Sequence, residues 1–281
     1  MTTFWFIQSP RLRALIAVLV LVVTLLIFAL PIAVAGLWSL VDPQTGWFPP
    51  DVVPSKLSLA NWQAMTSVPE LAHAFNTSFI IAVMVTLLSV ILGMPTAFAI
   101  ARRKLRYKRL VELVVLTPLM MPGVVLATGL GSIFIRVGLS QTVTGVVLAQ
   151  TIVVMPFMVR IVAATIAGVP QDLLDAARNL GAGPWMTLRR VLLPMIAPGL
   201  FAGALLAFLG SLDEFILTFV VGMPTVQTLP ILLWAYLGGR SSIQTYAAVV
   251  SLALLAPTLI LMFVAERVLK TEHLAAGFGK A

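Results

Sequence analysis

Cysteine is absent from the 281-residue chain, and charged residues make up only 10% of it. The lack of thiols excludes disulfides, cysteine nucleophiles and Cys-ligated zinc or iron–sulfur sites. Soluble domains carry roughly 25% charged residues, so these charges are too few to cover the surface of a soluble protein of this length. The two scarcities argue against a soluble enzyme and exclude a disordered or collagen-like chain.

Long apolar runs are what the chain has instead, since 60% of its residues are hydrophobic. A membrane helix needs about 20 mostly apolar residues. We therefore predict an all-α integral membrane protein with a 1–13 tail, a membrane domain over 14–265 and a 266–281 tail. The six predicted spans are 14–40, 79–101, 111–135, 143–168, 196–222 and 247–265.

The first apolar run is longer than the core of a signal peptide, so we expect it to remain as the first span. Prolines fall inside several of the predicted spans, among them Pro95, Pro118 and Pro156. Membrane helices tolerate proline when neighbouring groups satisfy the freed carbonyls. The pattern therefore predicts kinked helices, which would suit a bundle around a pathway but equally a tightly packed one.

Positive charges, of which there are 18 against 10 acidic residues, are unevenly distributed along the predicted topology. Fourteen of the 18 fall on one side, in the N-terminal tail, the 102–109 loop, the loop that follows span four and the C-terminal tail. The exceptions are Lys56, Arg136 and Arg240 on the other side and Arg160 inside a span. By the positive-inside rule, both termini are predicted to be cytoplasmic in a bacterial inner membrane.

The 102–109 loop carries six positive charges in eight residues. Such a run would fit nucleic acid, but its place directly after an apolar span favours a topology anchor that contacts anionic lipid headgroups. We therefore predict lipid contact and no nucleic-acid partner.

The predicted cytoplasmic loop at 169–194 has an ordered pattern of helix signals. Pro170 and Asp172 are typical of a helix start, and Gly181 and Gly183 of a left-handed helix end. The apolar positions of this helix recur at intervals of three and four: Leu173, Ala176, Ala177 and Leu180. Periodicity alone fits both a helix in a groove of another protein and one that lies on the membrane or its own bundle.

A second helix is predicted to begin at Pro184 and to end near Pro194. Across the loop runs Asp175-Ala176-Ala177, three residues, Gly181, nine residues, then Val191-Leu192-Leu193-Pro194. This spacing resembles the EAA motif of ABC importer permeases, with Asp175 in place of the usual Glu and Val191 in place of Ile. Six spans with this motif between the fourth and fifth also resemble that family.

The resemblance implies a six-helix permease of the type I ABC importer architecture. It implies that the 169–194 loop is a coupling segment that docks into a cytoplasmic ATPase subunit. The expected partners are a second permease, two ATPase subunits and an external solute-binding protein. The chain has no phosphate-loop motif, so we expect ATP and Mg²⁺ in the ATPase subunits and no cofactor or metal here. No covalent chemistry is expected of it.

Asp213 and Glu214 form an acidic pair inside the predicted fifth span. Ionisable residues at membrane depth are costly and commonly functional. Because consecutive helical positions diverge by about 100°, one acid could face a pathway while the other pairs with a neighbouring helix. Arg160 is a possible partner, or it reaches headgroups by snorkelling. A purely structural cap or salt bridge is the alternative to substrate contact.

The segment Ser211-Leu212-Asp213-Glu214-Phe215 resembles the Ser-x-Asp-Asp-Phe segment of polyamine (spermidine/putrescine) importer permeases. The segments 117–122 and 228–230 are also similar to that subfamily, which implies a related but distinct second permease. Carboxylates on the pathway would suit a cationic solute, and nearby aromatic rings could supply cation–π contacts or a gate. The aromatic candidates are Phe208, Phe215, Phe219 and Trp234, for which packing or lipid contact is the alternative.

Other solutes remain open, among them ferric ion, phosphonates and amino-acid derivatives. An integral membrane enzyme is the alternative from another class. It would need converging catalytic groups, but the only two histidines, His73 and His273, are predicted on opposite sides of the membrane. The sequence therefore favours a permease. We also expect a short surface helix over 229–237, beneath the external binding protein.

Overall fold

The computed structural model describes residues 10–103, 106–238 and 244–277, and these are almost entirely helical. Lys104, Arg240 and Lys280, which entered the charge argument, lie outside the described residues. The helices are α1 (Pro10–Ser39), α2 (Ala60–Thr66), α3 (Pro69–Arg102), α4 (Lys108–Met120), α5 (Gly123–Arg136), α6 (Val143–Gly168), α7 (Gln171–Asn179), α8 (Pro184–Thr187), α9 (Leu193–Leu212), α10 (Leu229–Leu237) and α11 (Gln244–Gly277). The prediction of an all-α fold is confirmed.

By length and apolar composition, five helical segments of the described chain are able to cross a membrane, or six if the bent pair α4–α5 counts as one span. The contacts divide the chain into two compact units. The first comprises residues 1–68 and 236–253, and the second comprises residues 69–235 and 254–281.

In the first unit, α1 exposes apolar side chains along its length, including Leu15 (65% exposed) and Phe28 (70%). A helix that is apolar on all faces is typical of contact with lipid or other membrane helices. The segment after it is pinned by Asn61, whose amide donates hydrogen bonds to the carbonyls of Ser39 (3.3 Å) and Val41 (2.6 Å). Backbone carbonyls that α1 leaves free are thereby satisfied.

In the second unit, α3, α6 and α9 pack into two buried apolar clusters. Met158 of α6 is fully buried between two glycines. A Cβ atom would lie 2.7 Å from the Met158 Cγ if built at Gly93, and 2.8 Å from its Sδ if built at Gly203. These glycines therefore let α3 and α9 approach α6 closely, as small residues do in membrane helix packing.

The predicted span over 111–135 is two helices, α4 and α5, bent by 105°. Met121 between them is extended, with ψ 138°, and Pro122 caps α5. The proline ring disfavours the helical region for the residue before it, and at Met121 the extended backbone turns the chain. The residues of the predicted third span are therefore helical apart from Met121 and Pro122, where the kink expected from its prolines is a sharp bend.

Pro194 does not end a helix, contrary to the prediction. The helical path continues from α8 through a π-helical turn at Leu188–Leu192 into α9. Within that turn the Leu193 amide donates to the Leu188 carbonyl, five residues back. Proline has no amide hydrogen and clashes with the carbonyl four residues before it. The wider turn accommodates Pro194 without breaking the helix.

The predicted span over 196–222 is also interrupted. Helix α9 ends at Leu212, residues 213–215 are not helical, and a second π-helical turn covers Thr218–Gly222. The acidic pair therefore lies in a helix break, not at consecutive positions of one helix. Further along, α10 has the bounds predicted for the short 229–237 helix, but its first four residues are buried rather than on a surface.

Candidate functional site

The predicted coupling segment folds as a helix that ends in a tight glycine turn. Gly181 has φ +79°, its amide donates to the Arg178 carbonyl (2.9 Å), and the Ala182 amide donates to Ala177 (3.0 Å). This pair of bonds is a Schellman motif, in which glycine avoids the steric cost of the left-handed conformation. Helix α7 therefore ends at the Gly181 turn as predicted, whereas Gly183 is extended, with φ −68°, and precedes α8, so the prediction of a left-handed conformation there was wrong.

The outer side of this helix presents apolar side chains. Leu173 is 44% exposed and Leu180 is 88% exposed, whereas the neighbouring Leu174 is buried. Trp185 and Met186 of α8 extend the exposed apolar surface. Sequence reasoning missed these two residues, although an aromatic residue directly after Gly183-Pro184 was a signal for them. We call the exposed set Leu173, Leu180, Trp185 and Met186 the docking surface.

Asp175 is held on α7 by two neighbours. Its Oδ1 accepts hydrogen bonds from Arg178 Nη1 at 3.1 Å and from Gln171 Nε2 at 3.2 Å. The ion pair with Arg178 is exposed and is worth about 0.3–0.5 kcal/mol at such a helical spacing. Asp172 lies in the first turn, where a carboxylate interacts favourably with the helix dipole.

Arg102, at the end of α3, connects that helix to α7. Its guanidinium donates to the Ile166 carbonyl (2.7 Å), to the Val169 carbonyl and to Gln171 Oε1 (3.0 Å). These bonds add to the end of α6, where the Ile166 carbonyl also accepts from the Val169 amide at 3.2 Å and the Val169 carbonyl lies at the C-cap. Arg102 was predicted to be a lipid-contacting charge of the 102–109 loop, but its donors are directed to the protein backbone. Nothing local in the sequence identified those carbonyls.

Glu214 caps the helical turn that restarts after the break. Its Oε1 accepts from the Leu217 amide at 3.0 Å and its Oε2 from the Thr218 amide at 3.1 Å. A carboxylate that accepts from the first free amides of a helix satisfies donors that would otherwise lack partners. The structural alternative proposed for this acid, a cap, is therefore what Glu214 forms.

A buried polar network holds both sides of the break against α6. Ser211 donates to Gln150 Oε1, and Gln150 Nε2 donates to Thr218 Oγ1 at 2.9 Å. All three side chains are buried, so each needs these partners to offset the loss of water. Ser211 was a predicted pathway residue, and the structure places it in this network. Gln150 and Thr218 were not identified from the sequence.

Asp213 has different surroundings from its neighbour, because its side chain is exposed. Arg160 is also exposed, on α6. Within the described part of the chain, no ion pair joins Arg160 to Asp213 or Glu214. The predicted partnership with Arg160 is therefore not formed in this structure, and Asp213 is left as the accessible acid of the pair.

Three of the predicted aromatic residues meet beside the break. Phe219 lies with its ring centroid 5.0 Å from that of Trp234, and Phe215 lies 5.4 Å from Phe219. Phe219 is 37% exposed and Trp234 49% exposed, so the cluster has an accessible side. Phe208 is elsewhere, against Phe79 at 5.7 Å. The exposed carboxylate of Asp213 therefore lies two residues before Phe215, the first ring of this cluster, in the same interrupted segment.

Comparison with known proteins matches most of the chain to one protein family. Residues 89–271 match the family described as binding-protein-dependent transport system inner membrane component. The sulfoquinovosyl glycerol transport system permease protein SmoH of Agrobacterium fabrum is 31% identical over 200 residues, covering 70% of this chain and 68% of that protein. The spermidine/putrescine transport system permease protein PotC of Escherichia coli K12 is 27% identical over 183 residues, covering 62% and 69%.

Among solved structures, a chain of a bacterial ABC transporter involved in the import of the acidic polysaccharide alginate is similar in fold. The TM-score is 0.71 at 15% sequence identity, and the match covers 94% of this chain and 99% of that one. At this identity the likeness concerns the fold.

Proposed function

The chain belongs to the family of binding-protein-dependent transport system inner membrane components, and from this premise we propose how it is coupled to ATP hydrolysis and which solute it passes. It is a permease subunit of an ABC importer and a multi-pass inner membrane protein. We propose that α7 and α8 dock into a separate cytoplasmic ATPase subunit that binds ATP and Mg²⁺. We also propose that both termini are cytoplasmic, as the positive-inside rule predicts.

The docking surface is the observation that carries the coupling proposal. A short helix on a predicted cytoplasmic loop would not expose Leu180 and Trp185 to water without a partner, because each exposed apolar group costs about 25 cal/mol per Å². The Schellman turn fixes the end of α7, and all four side chains are exposed on this short segment. Such a surface suits a helix-in-groove contact.

The test is a charge placed on this surface. We expect Leu180→Asp to reduce co-purification of the ATPase subunit several-fold, because a carboxylate would be buried in an apolar contact. Val52→Asp is the matched control, since Val52 is similarly exposed, at 86% against 88%, but is predicted on the external side. Equal ATPase recovery with Leu180→Asp and with wild type would contradict the assignment.

For the solute, we propose a small organic cation such as a polyamine. The accessible carboxylate of Asp213 next to the cluster of Phe215, Phe219 and Trp234 supports this proposal, since carboxylates and ring faces both attract ammonium groups. The similarity to PotC also supports it. In this proposal Ser211 and Glu214 stabilise the helix break through their hydrogen bonds and do not contact the solute.

A sugar conjugate is the second candidate. SmoH, a sulfoquinovosyl glycerol permease, is similar to this chain at a slightly higher identity than PotC. Aromatic side chains present large apolar faces against which a sugar ring could also pack, whereas an exposed Asp213 would repel an anionic sulfonate. The carboxylate is therefore the feature that favours a cation.

Ligand binding to the cognate external binding protein separates the two candidates. We expect spermidine or putrescine to raise its melting temperature, because a ligand that binds only the folded state stabilises it. Sulfoquinovosyl glycerol should leave it unchanged. A shift with the sugar conjugate and none with either amine would overturn the cation proposal while leaving the permease assignment intact.

A further inference from the structure

Two adjoining cavities lie within the second unit, between the end of α3 and the α7–α9 segment. The larger has a volume of about 650 Å³ and the smaller about 240 Å³. Cavities of about 300–1,000 Å³ are typical of small-molecule sites. They lie behind α7, since Leu174, the buried leucine of that helix, lines both.

The walls and the mouth of the cavities differ in chemistry. The walls are mostly apolar, with Met94, Pro95, Phe98, Leu188 and Leu192 among them. The charged residues that line them, within the described chain, are three arginines and no carboxylates: Arg102, Arg103 and Arg178. The site is therefore amphipathic, with an apolar interior and a cationic rim.

Two of the arginines are already engaged, and one is not. Arg102 is bonded to backbone carbonyls, and Arg178 is paired with Asp175. Arg103 is exposed and forms no ion pair with another described residue. A guanidinium is well suited to bidentate contact with phosphate oxygens. Arg103 is therefore the cation available to a ligand.

Polar atoms at the cavities also lack partners. Nε of Arg102 and Oγ1 of Thr187 are buried, and the described protein supplies neither with a hydrogen-bond partner. Both residues line the cavities. Buried polar atoms usually have a partner, so the described protein alone does not fully satisfy the polar side chains around these cavities.

We propose that this site binds one anionic phospholipid, with its phosphate at Arg103 and part of an acyl chain along Phe98 and Leu188. A free phosphate would satisfy the arginine but would leave the apolar walls uncovered. The residues at the mouth belong to the predicted cytoplasmic end of α3, where anionic headgroups lie. That the site lies in the cytoplasmic leaflet depends on the orientation given under Proposed function. The match between an anionic phospholipid and cavities lined by apolar side chains and arginines does not depend on it.

The experiment counts lipids on the intact importer complex. The complex is reconstituted in nanodiscs of phosphatidylcholine with a minor fraction of phosphatidylglycerol, and retained lipids are counted by native mass spectrometry. We expect preferential retention of phosphatidylglycerol, reduced several-fold by Arg103→Gln and less by Arg103→Lys. Arg136→Gln, which removes an exposed cation that does not line the cavities and is predicted on the external side, should leave retention unchanged.

Equal retention of the two lipids by wild type would overturn the proposal, and so would an equal loss with Arg136→Gln. Inorganic phosphate is added in a separate arm; displacement of the lipid by phosphate alone would show that the ligand is a soluble anion. Lipid retention requires neither transport nor ATPase docking. Loss of ATPase docking and loss of lipid retention therefore report separately on the proposed function and on this site.

Discussion

Asp213 and Glu214 are adjacent in sequence, yet they have different tasks in the structure. Glu214 has both carboxylate oxygens engaged by backbone amides of the next helical turn. Asp213 is exposed beside it. This difference arises because the helix stops between Leu212 and Ile216, which turns one acid towards the chain and leaves the other accessible. A regular helix would also have turned the two side chains about 100° apart, but it would have left no free amides for Glu214 to cap.

We expect Glu214→Gln and Asp213→Asn to have different effects. Glutamine keeps one acceptor oxygen and places an NH₂ group against an amide, so the cap is weakened by about 1 kcal/mol and the melting temperature of the complex falls. Asp213→Asn should leave that temperature unchanged and reduce uptake of a cationic solute. The checks are thermal denaturation of the purified complex and uptake into proteoliposomes.

The contrary outcomes are distinct for each residue. Wild-type uptake with Asp213→Asn would remove its pathway role. A wild-type melting temperature with Glu214→Gln would show that its cap contributes nothing to stability.

At the scale of elements, α7, which we propose to be part of the coupling segment, is held at both ends by independent interactions. The turn at Gly181 sets its end, and Arg102 bonds its first residue, Gln171, to the end of α3. The same arginine holds the end of α6 through the Ile166 carbonyl. A displacement of α7 by a docked partner would therefore be transmitted directly to two membrane helices.

Replacing the turn glycine tests this rigidity. Gly181→Val should uncouple uptake from ATP hydrolysis, because a β-branched residue at φ +79° costs about 1–2 kcal/mol and disrupts the Schellman bonds. Gly183→Val is the matched control: Gly183 has φ −68°, and a Cβ added there would meet no atom within 4 Å. Uptake and ATPase activity are measured in the same proteoliposomes.

Normal uptake by Gly181→Val would refute the coupling role of this turn. An equal defect in both glycine variants would show that side-chain bulk, rather than backbone conformation, is what the segment excludes.

At the scale of the whole molecule, the orientation in the membrane is still a prediction from charge. The absence of cysteine makes a direct test clean, because a single introduced thiol is the only one in the chain. We expect Val52→Cys to react with a membrane-impermeant maleimide in intact spheroplasts. Tyr107→Cys should react only after permeabilisation. Both side chains are exposed, at 86% and 63%, so access to the reagent depends on the side of the membrane; the reverse pattern would invert the orientation.

Local chemistry along the chain specifies much of this protein. Apolar runs and scarce charge indicate membrane helices, and Pro170, Gly181 and the residues between them specify α7, since caps and turns depend on neighbours within about four positions. The bounds of α6 and α10 could also be read from the sequence. The EAA-like spacing indicated the family for the same reason, because all its positions lie in one segment.

Long-range packing decided the rest. Gln150 forms hydrogen bonds with Ser211 and Thr218, which are 61 and 68 positions away in the sequence. Arg102 donates to the Ile166 carbonyl, which is 64 positions away. No local pattern encodes such partners, since they depend on which helix faces lie together. The size of the bend at Met121 and the break at Asp213, which interrupts the helix assumed for the fifth span, were not predicted for a related reason: apolar composition indicates that a segment lies in the membrane but does not give the direction of its backbone. Apolar composition directs this chain into the membrane, whereas the contacts among α3, α6 and α9 decide which polar groups are buried, which cap a helix and which remain accessible.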